Sequence, residues 1–321
     1  MKSALLMAAA GALFWLSSPL PGRAASFAPP DGEVLLVVGQ NRQTCDDYVK
    51  AVGKVPGGFM FYTSIGALEG LQTPYQGAGY VQDAQHLVDT YPNTTLQIGF
   101  WMVDCLPATI AGKYDANLDR LAAWAKKAKR PIYLRIGYEF DGAHNHYDPK
   151  DYVEAFRHIV KRLRDQKADN IAFVWHSVAG ITEKPPETWY PGDEYVDWFA
   201  VSYFDQSARH MDPMTQLAAQ HGKPLMVAEC TPKGQFTRHG LGVWNLWFKN
   251  FFHWTDKAGV KAISYIDDNW DDMEIWKGQH WGDARVEANQ AIKAKWIEQV
   301  GQPKFLQSSP ELFKKLGYSA D

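Results

Sequence analysis

Residues 131–140 read PIYLRIGYEF, a nearly continuous apolar run that ends in a glycine, a tyrosine, a glutamate and a phenylalanine. An apolar run without strict alternation of polar residues is typical of a strand that is covered on both faces. Seven more runs of this kind, rich in Val, Ile, Phe, Tyr or Leu, occur at 34–41, 58–64, 95–102, 170–177, 195–204, 223–230 and 260–268. The sequence therefore predicts eight strands.

Helical patterns lie between these runs. Residues 117–128 and 149–166, for example, repeat apolar side chains at intervals of three and four. Strands that alternate with helices form a parallel sheet, and eight such strands in one chain favour a closed barrel. We expect an α/β protein with a single (β/α)8 TIM barrel over residues 26–301. Residues 302–321 are expected to form a tail with one short helix packed on the barrel.

The first 25 residues have the pattern of a secretory signal peptide. Lys2 precedes an apolar run from Ala4 to Leu16, and small residues follow at Ala24 and Ala25. The alternative is an uncleaved N-terminal anchor. No later segment reaches the roughly 20 apolar residues of a membrane-spanning helix. We therefore expect a secreted or periplasmic protein that has no contact with the membrane after signal removal.

The composition excludes some classes of partner. The formal net charge is −3 and no basic run is visible, which argues against nucleic acid and anionic membranes. The chain has 13 Trp, 15 Tyr and 16 Phe. Flat aromatic side chains stack on sugar rings, but large cores also contain them, so they favour a carbohydrate ligand only weakly. We expect a monomer.

Three cysteines are present, and export favours oxidation of one pair. Cys45 and Cys105 each follow a predicted strand by a few residues, so both should lie at the same end of the sheet. We expect a disulfide between these two and a buried, free Cys230. No Cys-x-x-Cys or paired His-Cys spacing suggests a metal site, and we expect no cofactor.

Two glutamates end predicted strands. In a (β/α)8 barrel the active site lies at the carboxyl ends of the strands. Glu139 ends the fourth strand and Glu229 ends the seventh, so their side chains should face each other across the mouth of the barrel. A retaining glycosidase needs such a pair about 5 to 5.5 Å apart, one carboxyl as acid and one carboxylate as nucleophile, whereas an inverting enzyme needs a wider gap that holds a water. Tyr203, at the end of the sixth strand, is placed to donate a hydrogen bond to Glu229. The alternative reading of Glu139 is a surface acid that pairs with Arg135.

The chain resembles glycoside hydrolase family 26. The resemblance rests on the strings RIGYEFDG and HNHY around Glu139, then AFRHIVKRLR, NIAFVWHS, WYPGDEYVDWFAVSYFD and KPLMVAEC, of which the WYPGD-x-YVDW block is the most specific. Members are (β/α)8 barrels that include β-1,4-mannanases, β-1,3-xylanases and mixed-linkage glucanases. The resemblance implies a retaining β-glycanase in which Glu139 is the acid/base and Glu229 the nucleophile. It also implies that Tyr203 bonds the nucleophile and that Arg135 supports the site.

One position departs from the family pattern. Mannanases of the family usually have histidine before the acid/base, and this chain has Tyr138. Tyr138, which we expect to support the catalytic site, therefore puts mannan in doubt as the substrate. Other predicted sugar contacts combine flat faces with polar groups near strand ends. They are Trp101, His144, Asn145, His146, Tyr147, His176, Asp267, Asp268, Trp270 and Trp281.

Other functions remain open from the sequence. The enzyme could transfer sugars to sugar acceptors, or trim an exopolysaccharide that the cell itself makes. A barrel that binds carbohydrate without catalysis would keep the aromatic lining and could lose one glutamate. Unrelated chemistry is possible on this fold. A zinc site at His144 and His146 would need further ligands that the sequence does not indicate.

Overall fold

The computed structural model describes residues 27–77 and 79–319. Eight parallel strands form one closed sheet, in which each strand pairs with the next and the last pairs with the first. They are β1 (Val34–Gly39), β2 (Gly58–Ser64), β3 (Thr95–Trp101), β4 (Ile132–Ile136), β5 (Ile171–Ser177), β6 (Trp198–Tyr203), β7 (Leu225–Cys230) and β8 (Ala262–Ile266). The predicted (β/α)8 barrel is confirmed. The proposed signal peptide, residues 1–25, lies outside the described residues.

Helices surround this sheet. They are α1 (Arg42–Val52), α2 (Ala84–Thr90), α3 (Leu106–Ile110), α4 (Asp115–Ala128), α5 (Pro149–Asp165), α6 (Asp212–Gln220), α7 (Leu241–Val243), α8 (Lys249–Lys257), α9 (Gln290–Val300) and α10 (Leu312–Lys315), with a π-helical turn (Trp244–Phe248) before α8. The connection from β5 to β6, all of which the structure describes, has a 3₁₀ turn (Pro186–Trp189) in place of an α-helix. Among residues 27–77 and 79–319, no helix is both long and apolar enough to cross a membrane.

The strands have two apolar faces because side chains alternate between the barrel interior and the surrounding helices. In β6, for example, Trp198 and Ala200 pack inside the barrel, whereas Phe199 and Val201 pack in the core between the strands and the surrounding helices. The C-terminal tail packs against the residues inside the barrel. Its strand Phe305–Leu306 pairs in parallel with β1.

The predicted disulfide is wrong. Cys45, Cys105 and Cys230, which all lie in the described part of the chain, are buried and free. Cys45 packs in α1 against Val38 of β1, and Cys105 precedes α3 after β3. Cys105 Sγ accepts a hydrogen bond from the Tyr114 hydroxyl at 3.6 Å, so the two sulfur atoms have separate partners.

Candidate active site

A cavity of about 930 Å³ opens at the carboxyl ends of the strands. Both predicted catalytic glutamates line it, although only 7% of Glu139 and 6% of Glu229 is exposed. Tyr138 also lines the cavity. The two carboxyl groups therefore share one largely shielded space, in which charges interact more strongly than they would in water.

The backbone after β4 turns sharply to present Glu139. β4 ends at Ile136, and both Gly137 (φ 53°) and Glu139 (φ 52°) then adopt the left-handed region. A Cβ atom at position 137 would lie 2.9 Å from the ring of Tyr152, so only glycine fits there. The Asn145 side chain donates to the carbonyl oxygens of Tyr138 and Glu139 at 2.8 and 3.0 Å and holds this turn. Backbone strain of this kind is common at functional sites.

A β-bulge in β7 turns Glu229 into the barrel. Val201 pairs with Val227 and Ser202 pairs with Glu229, so Ala228 is an extra residue in β7. Ala228 packs inside the barrel, and strict alternation of side chains would therefore direct Glu229 outward. The extra residue shifts the alternation by one position, and Glu229 faces the cavity as a result.

Arg135 lies beneath the cavity and pairs with Glu229. The guanidinium is fully buried, and its Nη1 donates to Glu229 Oε1. It lies 5.0 and 5.2 Å from the ring centres of Tyr62 and Tyr138. Gly99 on β3 provides the necessary space, because a Cβ atom there would lie 2.4 Å from the Tyr62 ring and 2.8 Å from Arg135 Nη2. Arg135 therefore braces Glu229, whereas the alternative reading paired it with Glu139.

Competing effects act on the Glu229 carboxyl. Burial raises its pKa above the ordinary value, and the nearby Glu139 adds to this rise. The Arg135 charge and a hydrogen bond from the Tyr62 hydroxyl oppose it. Both of these groups stabilise the carboxylate form, which is the form that a nucleophile requires.

The prediction that Tyr203 bonds the nucleophile is wrong. Its ring packs against Trp247 and Trp254 on the outer side of the barrel, with centroid distances of 5.7 and 5.4 Å. Side chains alternate along β6, so Ser202 points into the barrel and Tyr203 points out. Tyr62 on β2 occupies the position that was expected for Tyr203.

Glu139 has one partner at each oxygen. Ser202 Oγ donates to Oε1 at 2.6 Å, and His144 Nε2 lies 2.9 Å from Oε2. The hydrogen bond to Glu139 raises the pKa of the half-exposed His144 imidazole. Ser202 was not among the predicted site residues, although counting inward positions from Trp198 along β6 would have identified it.

The predicted sugar contacts divide into two groups. Five line the cavity: Trp101, His144, Asn145, Trp270 and Trp281. Three of the others take part in contacts outside it. His146 lies 3.1 Å from Asp104, Tyr147 packs on Tyr152, and His176 is fully buried beneath the cavity. No group of three or more potential metal ligands occurs in the described residues.

Asp267 and Asp268 are not cavity residues either, and both hold backbone segments. Asp267 Oδ1 accepts from the Val286 amide at 2.8 Å. Asp268 accepts from the Gln40 amide at 3.3 Å and from Asn41 Nδ2 at 2.8 Å. The expected sugar contacts at these two positions are therefore corrected to structural roles.

Asp268 should make stability depend on pH. Burial raises the pKa of Asp268 to about 7, above its ordinary value of 3.8. The folded state therefore binds this proton more tightly than the unfolded state. Stability from this group is complete below about pH 4 and is lost as the pH rises through 7. We expect Tm to fall over this range, and to fall less in Asp268→Asn. The exposed control Asp47→Asn should keep the wild-type slope, and an equal slope in Asp268→Asn would contradict the prediction.

Aromatic residues that the sequence analysis did not select complete one wall of the cavity. Trp276 lies 5.4 Å from Trp270 and 4.9 Å from Trp281, and all three line the cavity. Tyr75 and Tyr80, from a short hairpin after β2, line it as well. Flat apolar faces beside buried carboxyl groups are well suited to bind sugar rings.

Comparisons with known proteins agree with this geometry. The family model for Glycosyl hydrolase family 26 matches residues 57–280. A β-1,3-xylanase from a Vibrio species is 33% identical over 318 residues, covering 90% of this chain and 69% of the relative. A β-1,3-xylanase from an Alcaligenes species is 30% identical over 321 residues, covering 91% and 68%. A solved family 26 structure from Muricauda sp. superposes with a TM-score of 0.64 at 15% identity, covering 88% and 90%.

The family match spans more than half of the chain, and the two xylanases match it over nearly its whole length. The fold, the shared cavity and the two strand-end glutamates agree with the resemblance found in the sequence. The chain belongs to glycosyl hydrolase family 26 and is a glycoside hydrolase.

Proposed function

We propose that this protein is an exported β-1,3-xylanase that retains the configuration at the anomeric carbon. The observation that carries the proposal is the arrangement of Glu139 and Glu229 in one cavity with different partners. Glu229 pairs with a cation, Arg135, whereas Glu139 contacts a hydroxyl and an imidazole. A retaining mechanism requires this division between a charged nucleophile and a group that exchanges a proton.

The reaction proceeds in two steps. In the first, the Glu229 carboxylate forms a bond to the anomeric carbon while Glu139 gives its proton to the leaving glycosidic oxygen. In the second, Glu139 removes a proton from water, and the resulting oxygen nucleophile breaks the bond between the sugar and Glu229. Arg135 neutralises the carboxylate that is released at the end.

Two findings support β-1,3-xylan as the substrate. The two relatives with 33% and 30% identity are both β-1,3-xylanases. In addition, Tyr138 stands where mannanases of the family usually have histidine, and its ring lies 5.3 Å from Tyr62 against the buried Arg135. A phenol ring at this position changes both the shape and the hydrogen bonding near the nucleophile.

The test combines a substrate panel with product stereochemistry. β-1,3-Xylan, β-1,4-xylan, β-mannan and a mixed-linkage glucan are each incubated with the purified protein, and early products are followed by proton NMR. We expect β-1,3-xylan to be hydrolysed at least tenfold faster than the others. The β-anomer should appear before mutarotation produces the α-anomer. Early α-anomer would contradict retention, and faster mannan hydrolysis would contradict the substrate.

Export has its own test. The pattern in residues 1–25 places the expected cleavage after Ala25. Expression of the full chain in a bacterial host should yield processed protein in the periplasm or medium, with Ser26 as its first residue. Unprocessed protein in the membrane fraction would favour the N-terminal anchor.

A further inference from the structure

We propose that His176 and Ser202 are positioning residues that determine which oxygen of Glu139 carries the catalytic proton. The inference rests on the proposed acid/base role of Glu139. It concerns two buried residues that lie between Arg135 and Glu139 and have no other explained role.

A chain of polar contacts connects the two glutamates beneath the cavity. Arg135 Nη1 donates to Glu229 Oε1 and also lies 3.4 Å from His176 Nδ1. His176 Nε2 lies 3.0 Å from Ser202 Oγ. Ser202 Oγ lies 2.6 Å from Glu139 Oε1. β4, β5, β6 and β7 each contribute one member before the chain reaches the turn that holds Glu139.

The guanidinium determines the direction of every hydrogen bond in this chain. A guanidinium can only donate, so His176 Nδ1 must accept and the single imidazole proton lies on Nε2. That N–H donates to Ser202 Oγ, and the Ser202 proton is then donated to Glu139 Oε1. Burial, with the nearby charge of Arg135, lowers the pKa of His176 well below its usual value, which agrees with a neutral ring.

These hydrogen bonds determine which oxygen of Glu139 carries the acid proton. Because Oε1 always receives the Ser202 proton, the acid proton must occupy Oε2, the oxygen beside His144. In the first step the proton leaves Oε2 for the glycosidic oxygen, and in the second step a proton from water returns to Oε2. Ser202 and His176 keep their own protons throughout. Without Ser202 the acid proton could occupy either oxygen, and the carboxyl group could rotate away from the leaving oxygen.

The test compares leaving groups within each variant. Aryl β-glycosides of the preferred disaccharide are prepared with one good and one poor leaving group, because only the poor one needs protonation. For Ser202→Ala, kcat/KM should fall by roughly 30- to 100-fold with the poor leaving group, part of the 10²- to 10⁴-fold that acid catalysis supplies. It should fall less than about threefold with the good one. Both kcat/KM values are measured on the same variant. A smaller fraction of folded protein would therefore lower both values equally and leave their ratio unchanged.

Two further variants separate positioning from a general structural effect. Ser264→Ala also removes a buried, hydrogen-bonded hydroxyl from the barrel interior, since Ser264 Oγ donates to Gln97 Oε1 at 2.5 Å. It should keep the wild-type ratio of the two kcat/KM values. Ser202→Thr retains the hydroxyl and should restore the ratio at least in part. Equal losses with both leaving groups in Ser202→Ala, or no recovery of the ratio in Ser202→Thr, would overturn the proposal.

Glu139→Ala is measured in the same series. If Glu139→Ala shows no leaving-group dependence, the acid/base assignment itself is wrong. If Glu139→Ala shows the dependence and Ser202→Ala does not, only the positioning role is wrong.

Discussion

Glu229→Ala is expected to lower kcat/KM for the glycan by roughly 10⁵-fold or more, the scale on which loss of a covalent nucleophile acts. Among residues 27–77 and 79–319, no other carboxylate is paired with Arg135, so no group of the cavity is placed to replace the attacking oxygen. The variant should regain turnover of an activated aryl β-glycoside in the presence of azide. Azide would enter from the vacated face and yield the α-glycosyl azide, the inverted product.

Stability needs a separate control in this experiment. Removal of Glu229 leaves the fully buried Arg135 without its carboxylate, and breaking a buried pair costs about 3–5 kcal/mol. Glu229→Gln keeps a hydrogen-bond acceptor at the same place and should unfold at a higher temperature than Glu229→Ala while remaining inactive. Wild-type turnover in either folded variant, or a β-glycosyl azide from Glu229→Ala, would contradict the assignment of Glu229 as nucleophile.

The barrel and its two glutamates could be predicted because their signals are local. A strand that is covered on both faces must be apolar throughout, and eight such runs are visible in the sequence. Glu139 and Glu229 each lie at the end of one of these runs, and parallel strands bring their carboxyl ends together at one mouth. No long-range contact had to be known for either step.

The partner of Glu229 could not be predicted in this way. Which tyrosine reaches the carboxylate depends on the bulge at Ala228 and on contacts across the barrel between β2, β4 and β7. A shift of one residue reverses every side chain in a strand, and the sequence contains no clear sign of the bulge. The prediction therefore selected Tyr203, whereas Tyr62 is the residue that faces Arg135.

The other wrong predictions arose because the sequence does not show where the loops of the barrel run. Asp267 and Asp268 directly follow β8, where polar active-site residues are expected, but the amides of Val286 and Gln40 donate hydrogen bonds to them. Sequence spacing does not say which backbone segment returns to a strand end. The sequence was limited in the same way for Cys45 and Cys105. Both follow a strand of the barrel, but their positions in the sequence do not show which residues their sulfur atoms contact.

Glu139→Ala is expected to have a smaller and more selective effect than Glu229→Ala. Acid catalysis supplies about 10² to 10⁴ in rate, so kcat/KM for the glycan should fall by roughly 10³-fold. An aryl glycoside with a good leaving group needs no protonation, and its first step should remain within about tenfold of wild type. The second step still lacks its base, so the glycosyl-enzyme should accumulate and KM should fall together with kcat.

Azide distinguishes the two glutamates by the configuration of the product. In Glu139→Ala the nucleophile Glu229 remains, and Arg135 still pairs with it. Azide would attack the accumulated glycosyl-enzyme without a base, raise kcat and yield the β-glycosyl azide after two inversions. Glu298→Ala, which removes a surface carboxylate paired with Lys295 at 2.7 Å, should keep wild-type kinetics and form no azide product. An α-glycosyl azide from Glu139→Ala would reverse the two assignments, because it requires a single displacement at a site that has lost its nucleophile.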